Sequence, residues 1–205
     1  MSGKEQPARL EVDRKRKKQP RKPDARTRRT HERLGMALLQ LICEKPMDQV
    51  TVQEVLERAD VGRSTFYLHF RDKEDLLLSQ LERFLEMMST MLSARKETSQ
   101  RVAPVTEMFA HIAEQQTLYR ALSDSGRLHD FFDLAQDYFA RGIERRVREM
   151  KRAENLTSTE LRVRSVALSG SLWSLFRWWM GRGAKEPPAQ MDELFHRMVW
   201  GGMGK

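Results

Sequence analysis

Cysteine is nearly absent from this chain: Cys43 is the single one in 205 residues. An internal disulfide is therefore excluded, and so is a metal centre built on paired thiolates. A lone thiol on the apolar side of a helical stretch reads as a small core residue rather than a redox sensor. Long apolar runs are missing too: the best candidate, Val166 to Met180, is too short to span a bilayer and carries Arg177. The basic N-terminus lacks the apolar region of a secretory signal, so a cytoplasmic protein with no membrane partner is expected. The five histidines are scattered, with no His-x-x-x-His pair, and there is neither a glycine-rich phosphate cradle nor a serine elbow. The neighbouring acids Glu74-Asp75 and Asp192-Glu193 read as helix-start charges rather than a catalytic pair. An enzyme, a metal site and a cofactor are all unexpected.

Positive charge is abundant, and it is unevenly placed. Residues 1–30 hold 12 Lys and Arg against four acids, which accounts for the whole net charge of +8. Residues 1–25 are also poor in apolar side chains, so this arm should be disordered when free. Two readings of it are open, a solvated tail and a DNA-contacting arm whose affinity falls as salt rises. The donor-rich stretch at residues 51–73, farther along the chain, favours the second.

That stretch, TVQEVLERADVGRSTFYLHFRDK, combines two short helices and a tight turn. Val52, Val55, Leu56 and Ala59 recur at helical spacing, and Thr51 with Glu54 has the form of a capping box. Asp60 tolerates a left-handed turn, Val61 can plug the gap between the helices, and Gly62 can cap the second. Phe66 and Phe70 form that helix's inner edge. Arg63, Ser64, Thr65, Tyr67 and His69 are left for its other faces, and a surface so rich in donors needs a partner.

Residues 51–73 resemble the DNA-binding signature of TetR-family (TetR/AcrR-like) transcriptional regulators: the Thr51-Val52 start, the Thr65-x-Tyr67-x-His69-Phe70 core, and Lys73 two residues after Arg71. Asp60 stands where the family commonly has Gly, Gly62 where it has Ser, and Leu56 where a small Ala is frequent. The resemblance implies that Gln53, Arg63, Ser64 and Thr65 read bases, and that Thr51, Tyr67, His69 and Lys73 grip phosphates; Arg28, at the end of the arm, joins the phosphate set.

The remaining pattern is helical throughout. Helix 1 is predicted over 27–44, ended by Pro46. Helix 4 begins at the Asp72 cap and runs long, with Leu77, Leu81, Phe84, Leu85, Met88, Met91 and Leu92 in register. Further helices are predicted near 105–112, 117–122, 128–150, 158–182 and from Pro187-Pro188 onward, and the charged run at 144–152 reads as a solvated face. The expected fold class is all-α, of about nine helices. A helix-turn-helix DNA-binding domain (26–72) follows the arm (1–25) and precedes a ligand-binding and dimerisation domain (73–205).

By the same resemblance, Phe84, Met88, Phe109, Tyr119, Phe131, Phe132, Tyr138 and Trp173 lie around a cavity for a small-molecule effector, with His111 and His129 as polar groups. A filled aromatic core is the alternative for any one of them. Leu175, Trp178, Trp179, Leu194 and Met198 are expected at a homodimer interface. The function implied is a repressor that binds palindromic double-stranded DNA as a dimer and is released by the effector. The alternative is a TetR-like co-activator that works through a protein partner.

Overall fold

In the computed structural model, residues 25–124 and 128–202 are described, and all regular elements among them are helical. Helix α1 spans Ala25–Glu44, followed by a 3-10 turn at Met47–Gln49, α2 at Val52–Ala59 and α3 at Arg63–His69. Helix α4 covers Lys73–Ala94, α5 Val105–Glu114, α6 Gln116–Asp124, α7 Leu128–Glu149, α8 Ser158–Gly181 and α9 Pro188–Gly202. No helix among the described residues is long and apolar enough to cross a membrane. The arm, as well as His129 as a pocket residue, lies outside the described residues and side chains.

Two apolar cores organise these helices. The first joins Leu34, Leu38 and Ile42 of α1 to Val55 and Leu56 of α2 and to Phe66 of α3. The second is larger and is built by α4, α5, α7, α8 and α9 around Phe109, Phe139, Phe176, Trp179 and Phe195. Two helices belong to both. Helix α4 gives Leu76 and Leu77 to the first core, then Leu85, Met88 and Leu92 to the second. The short α6 gives Leu122 to the first and Tyr119 to the second. Any displacement of α6 or α4 is therefore felt in both halves, because close-packed interiors transmit strain rather than absorb it.

Several expectations are corrected by this packing. Cys43 is exposed, not part of the core, because it falls on the side of α1 away from Leu38 and Leu41. The charged run near the end of α7 is not wholly solvated. Arg146 is only 5% exposed, and its guanidinium donates to the carbonyls of Glu97, Ser99 and Arg101, satisfying the turn-rich stretch between α4 and α5. Asp192 is no free helix-start charge either. It accepts from Arg101, from the Thr106 N–H and from His196 Nδ1, tying α9 to α5. The Val102 N–H donates to His196 Nε2 at 3.0 Å, and Nδ1 faces the Asp192 carboxylate.

Helix α7 crosses α4 at Gly142, where an added Cβ would overlap the Ser89 carbonyl oxygen. Only glycine permits this approach of the two backbones.

Candidate nucleic-acid interface and effector cavity

The helix-turn-helix is held from several sides. Thr51 caps α2: its hydroxyl accepts from the Glu54 N–H at 3.2 Å, and the Glu54 carboxylate accepts from the Thr51 N–H at 2.9 Å. Lys45 donates to the same carboxylate at 2.6 Å, and these bonds hold the Glu54 carboxyl down at about 2. Asp60 adopts a left-handed conformation at φ 48°, as the turn requires. Arg33 of α1 fixes it, donating to both its carbonyl and its carboxylate at 2.9 Å. Gly62 then caps α3 and Asp72 caps α4.

So braced, α3 buries Phe66 and Phe70 and turns Arg63, Ser64, Tyr67 and Leu68 outward. Tyr67 is 48% exposed, and the Arg63 guanidinium lies 5.6 Å from its ring centre, which pre-orients both groups on one surface. Gln53 is exposed on α2 and donates to Glu57 at 2.8 Å. Thr65 is half-buried. His69 is half-buried as well, set edge-on against His31 of α1 with ring centres 4.8 Å apart. Burial first, then the His69 and Arg83 charges, keep the His31 imidazole below its ordinary pKa. Arg28 is exposed one turn before His31, 3.9 Å from Glu32.

Two residues expected to grip phosphate have their donors committed inside the protein. Lys73 Nζ donates to the carbonyls of Met47, Asp48 and Val50 at 2.7, 3.2 and 2.6 Å. An ammonium has three protons, so none is left over. The Thr51 hydroxyl donates to Glu54 at 2.8 Å. Leu68, 77% exposed on the outward face, was not picked out from the sequence. A non-periodic leucine in a short helix was the available signal.

Farther along the chain, a cavity of about 440 Å³ opens between Gln116 and Tyr119 of α6, Phe132 of α7, and Phe176, Arg177 and Met180 of α8. Of the residues expected around a pocket, Tyr119 and Phe132 line it. Phe131, Met88, Phe109 and Trp173 are buried core side chains, and Phe84 stacks on the exposed His111 at 4.9 Å. Tyr138 lies under the Arg141 guanidinium. Phe176, Arg177 and Met180 were missed because α8 is amphipathic to only a slight degree and offered no clear inner face.

The expected dimer residues divide as well. Trp178, Leu194 and Met198 are exposed at 49%, 39% and 55%, Val163 and Val166 are exposed nearer the start of α8, and Leu175 is half-buried. Trp179 is a correction: it is fully buried, packs on Phe109 with ring centres 4.7 Å apart, and donates from Nε1 to the Glu186 carbonyl. Its ring belongs to the larger apolar core.

A capped, turn-locked α2–α3 pair that presents a cationic and polar helix face above a separate helical core defines a helix-turn-helix regulator. The sequence pattern described as "Bacterial regulatory proteins, tetR family" matches residues 37–79, and that described as "Transcriptional regulator C-terminal region" matches residues 103–201. The chain belongs to the TetR family of transcriptional regulators. The chain is 36% identical over 56 residues to YerO, an HTH-type transcriptional regulator of Bacillus subtilis (strain 168), a match spanning 27% of this chain and 19% of that protein. Among solved structures, the fatty acid degradation regulator FadR from Bacillus halodurans superposes with a TM-score of 0.61 at 18% identity, covering 89% of this chain and 98% of that one. DhaS, a dihydroxyacetone kinase operon activator, superposes with a TM-score of 0.63 at 14% identity, covering 84% and 95%. These likenesses describe the fold.

Proposed function

We propose that this protein is a transcriptional repressor that grips a palindromic operator as a homodimer and lets go when a small molecule enters the α6–α8 cavity. The observation that carries the DNA-binding part is the outward face of α3, where Arg63, Ser64 and Tyr67 stand exposed on a helix locked by the Arg33–Asp60 contact. Arg63 and Ser64, in the first turn of α3, reach base edges, Arg63 by a bidentate contact to guanine. Gln53 and Thr65 complete the base-reading group. Tyr67, His69 and Arg28 hold phosphates, and Leu68 packs on sugar or a thymine methyl.

Thr51 and Lys73 act at one remove, by setting the pose of α2. Arg26, Arg28 and Arg29 sit at the N-terminus of α1 with no acid in its first turn, a charge arrangement that opposes the helix dipole until phosphate arrives. The basic arm extends this contact and contributes affinity that salt removes.

Pairing through α8 and α9 is supported by the exposed apolar side chains of Trp178, Leu194 and Met198. Two heads so joined must reach successive major grooves about 34–36 Å apart. An effector in the cavity touches Tyr119, and the same helix α6 carries Leu122 into the head core. The effector shifts the heads only if it binds the released state more tightly.

The test is a titration of the full-length protein with DNA from upstream of its own gene at rising salt, alongside selection from a random duplex pool. A recovered palindrome, bound with log-linear salt dependence, is expected. Binding that shows no sequence preference would sink the repressor reading and favour the co-activator alternative.

A further inference from the structure

The cavity between α6, α7 and α8 carries two polar groups, buried Tyr119 and exposed Arg177, that no hydrogen bond or ion pair among the described residues engages. Tyr119 is 8% exposed, yet among the described residues its hydroxyl has no hydrogen-bond partner. Burial pushes this phenol's pKa upward, so it stays a neutral O–H ready to donate. A buried hydroxyl with nothing to bond is unfavourable, and phenylalanine would avoid the cost. The second group is Arg177. Its guanidinium lies 5.1 Å from the centre of the Phe132 ring, and among the described residues no carboxylate pairs with it.

An apolar wall joins the two. Phe132 and Phe176 have ring centres 6.2 Å apart, Phe176 and Tyr119 5.4 Å, and Met180 lies beside them along the cavity. Among the described residues no acid lines the space to offset the arginine's charge or attract an amine. A cation at the lip of a partly apolar site attracts an anion more strongly than it would in open water.

We infer that the cavity takes an organic anion with an apolar body: a carboxylate head pairs with Arg177, the body lies along Phe132, Phe176 and Met180, and the Tyr119 hydroxyl donates to an oxygen of the same molecule. This rests on the reading of the cavity as the effector site, and it adds the chemical class of the effector. The volume of about 440 Å³ suits a small molecule rather than a peptide segment.

Decanoate, decanol and decylamine share a chain and differ only in the head. 2-Naphthoate and 2-naphthalenemethanol repeat the comparison with a flat body. Each is titrated by calorimetry into the full-length protein below any micelle-forming concentration. At least one carboxylate is expected to bind about tenfold or more tightly than its matched alcohol, with the amine weakest. Arg177→Met, which keeps an apolar stem near Phe132 and loses the charge, should erase that preference.

Tyr119→Phe should weaken carboxylate binding several-fold, while the ligand-free variant melts at or above the wild-type temperature, because the lost hydroxyl had no partner. Equal affinity for acid and alcohol, a preference that survives Arg177→Met, or no carboxylate binding up to the solubility limit would overturn the inference. DNA affinity is read separately. A carboxylate that binds with the expected charge dependence yet leaves operator affinity unchanged supports the ligand class and removes the effector role from the proposed function.

Discussion

Lys73, the first residue of α4, donates its ammonium to the Val50 carbonyl oxygen at 2.6 Å and to the Met47 carbonyl at 2.7 Å. Helix α4, one of the two helices shared by both cores, is thereby fastened to the 3-10 turn immediately before α2. A charged group in this position gives the Asp48 and Val50 carbonyls a donor and adds a second bond to the Met47 carbonyl, which already accepts from the Val50 N–H.

Lys73→Met should therefore lower stability by about 1–3 kcal/mol, the range for losing hydrogen bonds to a charged donor. Urea unfolding measures it. DNA affinity taken well below the unfolding transition should stay within about threefold of wild type, since roughly 0.6 kcal/mol separates such values. A variant with wild-type stability and a large, sequence-independent loss of affinity would instead restore Lys73 to the phosphate-gripping set.

Arg63→Ala and Tyr67→Phe separate sequence reading from phosphate gripping. The first should cost about 1–3 kcal/mol on the selected operator and relax preference at one base pair of each half-site. The second should weaken all duplexes about equally. Fluorescence anisotropy on the operator and on single-base variants gives both answers, and an Arg63→Ala protein with unchanged preference would contradict the assignment.

Gly142→Ala places a methyl group against the Ser89 carbonyl oxygen, where α7 crosses α4. The gain in helix propensity, about 1 kcal/mol, is outweighed by overpacking of about 1–3 kcal/mol, leaving a net loss of stability. Because α4 must also move away from α7, operator affinity without any effector should change too. Thermal melts together with DNA titration test both parts, and a stabilised variant of unchanged affinity would mean that the crossing relaxes freely.

Asp192 gives the fold a sensitivity to acid. Burial works against its charge, but the hydrogen bonds from His196 and Arg101 overcome this and hold the carboxyl down at about 2. Its folded pKa is depressed, so its contribution is fully present above the unfolded value of about 3.9 and is lost as pH falls toward 2. Wild-type stability should drop across that window, and Asp192→Asn should flatten the drop. Asp192→Ala at neutral pH should cost on the order of 3 kcal/mol, because Arg101 and His196 lose a shared partner.

Met198→Glu and Trp179→Ala should fail in different ways. A carboxylate on the exposed α9 face should give a folded monomer with weakened affinity for a palindrome, visible by sedimentation. Trp179→Ala empties a buried site and should cost about 3–5 kcal/mol of stability whatever the oligomeric state. A dimeric Met198→Glu protein would move the interface elsewhere.

Much of the head was legible in the sequence because its determinants are local. The Thr51–Glu54 box, the Asp60 turn, the Gly62 and Asp72 caps and the burial of Phe66 and Phe70 each depend on residues within a few positions of one another. Helix ends elsewhere were readable for the same reason: α1 runs two residues earlier than the 27–44 reading, and α8 stops one residue before 182. The 3-10 turn at Met47–Gln49 was not foreseen, because Lys73, far along the chain, supports it.

The sequence by itself determined the all-α class, the helix-turn-helix and the charge-rich arm, since periodicity, capping and composition act over short separations. Only the tertiary structure decided which of two adjacent tryptophans is free, Trp178 outside and Trp179 within. It also decided that Arg146 and Asp192 are buried in ionic and carbonyl networks, and that Tyr119 and Arg177 meet at one cavity. Those outcomes depend on how a helix is rotated against neighbours distant in sequence, and a helix as weakly amphipathic as α8 does not specify its own rotation. The facing helices set it.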